Sequence, residues 1–105
     1  GELWAAPWPA PGAALEPRRV TTLAEVIHYE DPFEAAGDYL AHAQRAEIDL
    51  YRLSDGAHHH VPIPAEVEKN GGRIWLDETH VSFETRARDD SAYALVRCPI
   101  ANITP

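Results

Sequence analysis

The chain has no methionine and one cysteine, Cys98, among its 105 residues. A lone thiol cannot close an intramolecular disulfide, so the fold gains nothing from cross-linking, and a reducing, cytoplasmic setting is the simpler expectation. A chain that begins at Gly1 and lacks methionine reads as a fragment or a processed piece of something larger. No apolar run approaches the roughly 20 residues of a membrane-spanning helix, and the N-terminus lacks the charged and apolar regions of a signal peptide. Basic residues are scarce, 9 against 17 acidic ones for a net charge of -8. That balance repels phosphate backbones and argues against ordinary nucleic-acid binding. Also missing are a glycine-rich phosphate loop and any G-x-S-x-G turn around Ser82 or Ser91.

With 45% hydrophobic and 25% charged residues, the chain has the composition of an ordinary globular domain with one core. Its first segment, "GELWAAPWPAPGAALEP", carries Pro7, Pro9, Pro11 and Pro17 together with Trp4 and Trp8. The prolines defeat any helical or strand period, so residues 1–19 read as an extended arm and residues 20–105 as the domain. Two tryptophans on such an arm are poorly placed in water. They are expected to dock on the domain itself or on a partner.

Within the domain, "VTTLAEVIHYE" offers Thr22 and Glu25 at capping-box spacing and suggests a short helix. "DPFE" is a stronger start signal: Asp31 as N-cap, Pro32 at the first helical position and Glu34 closing the box. At 3.6 residues per turn, Phe33, Ala36, Gly37, Leu40 and Ala43 would share one side of a helix ending near Ala46. Asp31, Glu34 and Asp38 would line its acidic outer face. From Glu47 the period becomes two. "EIDLYRL", "AHHHVPI", "HVSFETRAR" and "AYALVRCPI" read as strands, and Asn70-Gly71 marks a hairpin within "EVEKNGGRIWLD". The sum is an α+β fold, an antiparallel sheet of four to five strands covered on one face by the main helix.

The loudest motif is "DGAHHHVPIP". If that stretch is extended, His58 and His60 share one face and His59 takes the other. Two imidazoles do not make a site. Zinc or non-haem iron needs a third ligand, for which Glu66, Asp77, Glu78 and His80 are the nearest donors, with His80 preferred. Residues 56–66 resemble the first motif of the cupins, but the gap from His60 to Glu66 is one residue longer and no second motif follows. The expected helix also fits that all-β family poorly, so none of its chemistry is carried over. The ordinary reading of the triplet is a solvent-exposed loop, with one ring packed on Tyr51 or Trp75 and no cofactor. Cys98, in an alternating strand, reads as a small buried hydrophobe.

Charge supplies the remaining signal, since seven carboxylates face only Arg45 between Glu25 and Asp49. The leading expectation is therefore a non-catalytic interaction or assembly domain. It would meet a protein partner, or a second copy of itself, through Trp4, Trp8 and the acidic face of Asp31, Glu34 and Asp38. A small metal-dependent enzyme using His58, His60 and His80, and an acidic inhibitor that imitates nucleic acid, are the alternatives.

Overall fold

In the computed structural model of the chain, the described residues are 1–23, 31–44, 46–89 and 91–104. Among them are nine strands and one turn of 3₁₀ helix, and no α-helix. A small hairpin joins β1 (Glu2–Ala5) to β2 (Arg18–Thr22). A four-stranded sheet runs β3 (Phe33–Ala36), β4 (Tyr39–Ala43), β5 (Ile48–Arg52) and β6 (His58–His60). A three-stranded sheet runs β7 (Val67–Leu76), β8 (His80–Ala87) and β9 (Tyr93–Pro99), followed by the 3₁₀ turn Ile100–Asn102. Among the described residues every pairing is antiparallel and joins neighbours in sequence, so no crossover is needed.

The two larger sheets share a core of Ala41, Ala43, Ile48, Leu50 and Val61 from one and Ile74, Val81 and Phe83 from the other, closed by Ile100. Each large apolar side chain buried there stabilises the fold by about 1.5 to 3 kcal/mol. β8 keeps the expected alternation, with Val81, Phe83 and Thr85 inward, and Cys98 on β9 packs beside this core. Burial pushes the Cys98 thiol above its ordinary value, as suits a packing residue.

The expected main helix does not exist, and with it falls the α+β class; this is an all-β arrangement. Phe33–Ala36 and Tyr39–Ala43 are instead the arms of a hairpin closed by Gly37-Asp38, with Ala36 paired to Tyr39. Gly37 adopts a φ of 54°, a left-handed conformation that no helix interior accepts and a two-residue hairpin loop requires. A Gly-Asp pair between apolar stretches is itself a hairpin signal. It was masked because Leu40, Ala41, His42 and Ala43 are all buried, so β4 shows no polar–apolar alternation to compete with the helical period. The acidic helix face disappears accordingly. Asp31 precedes β3, Glu34 is exposed on β3, and Asp38 sits in the turn, where its Oδ2 accepts from Ser54 Oγ at 2.5 Å.

Two further expectations change. The hairpin at Asn70-Gly71 is one continuous strand, β7, whose pairing with β8 shifts register between Lys69 and Ile74; the glycines serve a bulge rather than a turn. The short helix near Thr22 lies mostly outside the described residues, and Thr21 and Thr22 belong to β2. The arm is a hairpin rather than a simple extension, and the boundary expected after residue 19 falls inside β2. Trp4 and Trp8 are 53% and 94% exposed, so neither ring is buried on the domain. The base of the hairpin meets the domain at the β5–β6 turn, where Arg18 donates to the Leu53 carbonyl at 2.9 Å.

Gly56, in that turn, has a φ of 76°, and a Cβ there would lie 2.6 Å from the Val20 carbonyl oxygen. Gly56→Ala is expected to destabilise the fold by about 1 to 3 kcal/mol, seen as a lower urea midpoint at unchanged slope; an unmoved midpoint would show that the β2 contact carries nothing. The β7–β8 turn yields a second expectation. Asp77 Oδ1 accepts from the backbone N–H groups of Thr79 and His80 at 2.8 and 2.7 Å. These bonds, with the Thr79 hydroxyl, hold the carboxyl at about 2 against an ordinary 3.8. A depressed carboxyl contributes stability above its unfolded value and loses it as pH falls through the folded one. Between about pH 4 and pH 2, Asp77→Asn should therefore flatten the acid-induced fall in unfolding midpoint. Equal slopes for the two proteins would exclude this turn as an acid-labile element.

Candidate metal centre

The antiparallel register of β4, β5 and β6 sets His42, Asp49 and His60 side by side, and Tyr51 beside His58. Alternation puts all five side chains on the sheet face opposite Ile48 and Leu50. His58 and His60 do share a face, as extended geometry requires. Their rings meet edge to face at 4.9 Å between centroids, and the His58 ring stacks on Tyr51 at 4.7 Å. The triplet is an edge strand rather than a loop, and its ring partner is Tyr51, not Trp75.

At the centre is Asp49, a charged residue with 0% exposure. Its Oδ1 lies 2.9 Å from His58 Nε2 and 3.0 Å from His60 Nδ1, and its Oδ2 accepts from Gln44 Nε2 at 2.8 Å. An ionised carboxylate this deep needs a compensating positive charge. Among the described residues its ion-pair partners are these two imidazoles, both on Oδ1. One ligand atom from each of Asp49, His58 and His60 lies within 4.8 Å of the others. Metal–donor bonds near 2.1 Å place donors about 3.0 Å apart at right angles and about 3.4 Å apart in a tetrahedron. The observed 2.9 and 3.0 Å, both measured from Asp49 Oδ1, are hydrogen-bond distances that also equal the spacing of two donors at right angles on one ion.

Burial falls off in one direction. The side chain of His60 is 67% exposed and that of His58 27%, so any ion would be reached from the His60 side. There Ala46, Glu47, Ile48, Val61 and Ile63 form a depression of about 270 Å³ with His60 in its wall. His42, also fully buried, stands next to Asp49 but sends Nε2 to Asp31 Oδ2 at 3.0 Å. Its Nδ1, like His59 Nε2, is buried without a hydrogen-bond partner among the described residues.

The donors proposed from sequence as a third ligand do not join. Asp77 is committed to its turn, and His80 Nδ1 lies 2.8 Å from Thr79 Oγ1. Neither they nor Glu66 and Glu78 belong to the cluster. The residue that joins His58 and His60 is Asp49, read in sequence only as part of a strand and of the acidic excess. The available signal was a carboxylate inside the apolar run "IDLY", a costly insertion unless something pairs with it. Asp31, expected as an interaction residue, lies 3.0 Å from His42 Nε2, and Trp4 lies on β1 with Trp8 just beyond it. No helix among the described residues is long and apolar enough to cross a membrane. No family model matches the chain, and neither does any curated protein or solved structure.

Proposed function

We propose that this chain is a divalent-metal-binding domain in which Asp49, His58 and His60 hold zinc or ferrous iron with coordination positions left for water and a substrate. The observation that carries the reading is the fully buried Asp49 carboxylate with an imidazole nitrogen at 2.9 Å and another at 3.0 Å on the same oxygen. Gln44, donating to the other oxygen, orients the carboxylate as an outer partner does in metal sites. An ion held there supplies Lewis acidity towards a carbonyl, a phosphoryl group or a water molecule. Asp49, His58 and His60 would fix the ion's position, and the exposed His60 would leave one side open.

Protein purified without immobilised nickel should retain about one equivalent of zinc or iron by elemental analysis. Added Zn²⁺ should raise its unfolding midpoint, and Asp49→Asn should abolish both effects. Metal below a tenth of an equivalent, together with zinc titrations identical for wild type and Asp49→Asn, would refute the centre. Replacing His58 and His60 together with alanine should cost about 2 to 4 kcal/mol in metal-free protein, because a buried carboxylate loses two of its three partners. A change below about 0.5 kcal/mol, the norm for surface sites, would mean that they are solvated side chains after all.

A second reading, a protein interaction module, has its own observation in Trp8, 94% exposed beyond β1. Trp8→Ala should leave the unfolding midpoint within about 0.5 kcal/mol of wild type and remove any concentration dependence of the sedimentation coefficient. Self-association that survives the substitution would exclude Trp8 as its anchor.

A further inference from the structure

Apart from Phe33, the large apolar side chains left exposed fall into two groups. Trp4, Trp8 and Leu15 belong to the arm, and Trp75, Tyr93 and Leu95 to the three-stranded sheet. The most exposed of each group are Trp8 at 94% and Tyr93 at 69%. From Leu3 to Leu15 the arm carries no polar or charged side chain, in a chain of which 25% is charged. Such a continuous apolar surface, left in water, marks an interaction site. Pro7, Pro9 and Pro11 also restrict the backbone on both sides of Trp8, so little entropy is lost when this loop is held against a partner.

On the sheet, the register of β7, β8 and β9 sets Trp75 and Arg97 on either side of Ser82, Leu95 beside Glu84 and Tyr93 beside Arg86. Alternation puts these side chains on the face opposite Ile74, Val81 and Phe83, away from the core. Tyr93 and Leu95, two residues apart on one strand, present an apolar step about 7 Å long. The five residues from Pro7 to Pro11 span about 12 Å as polyproline II, enough to lie across it. Proline-rich segments on aromatic surfaces are a recurrent mode of recognition, because the ligand is preformed and the rings offer flat apolar contact. Charge favours the same match. Two copies that each carry -8 repel, and they repel least where neither surface is acidic. The arm from Leu3 to Leu15 has no charge, and on the sheet face Arg86 and Arg97 are paired with Glu68 and Asp77 while Arg73 stands over the Trp75 ring, 5.7 Å from its centroid.

Among the described residues of one chain, Trp8 on the arm and Tyr93 and Leu95 on the sheet stay exposed. We propose that these surfaces cover each other between two copies of the chain: the proline-tryptophan loop of one docks on the Tyr93, Leu95 and Trp75 face of the other, and the exchange is reciprocal about a two-fold axis. The inference rests on the interaction reading of Trp8 and is independent of the metal centre. Reciprocity doubles the contact. At about 150 to 250 Å² for each aromatic side chain buried, Trp8 and Tyr93 of both copies, with the leucines and prolines around them, approach the roughly 1,200 Å² of a stable interface.

Sedimentation velocity over a concentration series, on the full chain and on two variants, tests the exchange. Trp4→Ala/Trp8→Ala spoils the arm and leaves the face; Tyr93→Ser/Leu95→Lys spoils the face and leaves the arm, with the new ammonium opposite Glu84. Each alone should weaken self-association roughly tenfold or more, while Phe33→Thr, at the exposed aromatic outside both surfaces, should associate as wild type does. Mixed together, the two weakened variants should form a heterodimer, because one intact arm then meets one intact face. That complementation also shows that both variants are folded. A mixture that stays monomeric, with both unfolding midpoints near that of wild type, would overturn the arm-to-face contact. Self-association lost in the arm variant but kept in the face variant would overturn the face and leave Trp8 as an anchor elsewhere. Wild type that is monomeric at every concentration would overturn the exchange altogether, and Trp8 would then serve only a different protein.

Discussion

A single buried carboxylate organises this half of the molecule. Asp49 sits on a strand whose neighbours are Ile48, Leu50 and Tyr51, all fully buried, and an unpaired charge there would outweigh any one apolar contact around it. It is tolerable because the β4–β5–β6 register brings two imidazoles and a carboxamide to its oxygens. A one-residue slip of β6 would place His59 beside Asp49 and turn His58 and His60 towards the core. The register that satisfies the charge is thus also the one that completes the core.

The same arrangement separates two functions of the four-stranded sheet. Its Ile48 and Leu50 face packs with Phe83, Val81 and Ile74 of the other sheet, and its Asp49 face assembles polar groups at an edge. Placing those groups on paired strands limits the freedom of ring and carboxylate alike, as a site with defined geometry requires. The Tyr51 ring against His58 restrains the imidazole further. Because β6 is the outermost strand, one side of the cluster stays open to solvent at His60.

The regions where the sequence misleads are those where local signals conflict. "DPFE" has every feature of a helix start, yet Gly37-Asp38 interrupts the pattern with a turn, and β4, buried on both faces, lacks the alternation that would have identified it. "NGG" is a hairpin signal that becomes a bulge once β7 finds a continuous partner in β8. In each case long-range strand pairing overrode a local preference worth about a kilocalorie per mole.

The sequence by itself determined β5, β8 and β9, the shared face of His58 and His60, the core role of Val81 and Phe83, and the absence of an intrachain disulfide, because these follow from period-two alternation and composition alone. Tertiary structure decided that residues 33 to 43 form a hairpin, that Asp49 joins His58 and His60 in one cluster, and that Lys69, Arg86 and Arg88 line one cleft with Gln44. Asp49 and His58 are nine residues apart and Lys69 and Arg88 nineteen. No spacing rule joins such pairs, since their proximity is set by which strands pair and in what register, and that choice is made by burial across the whole sheet.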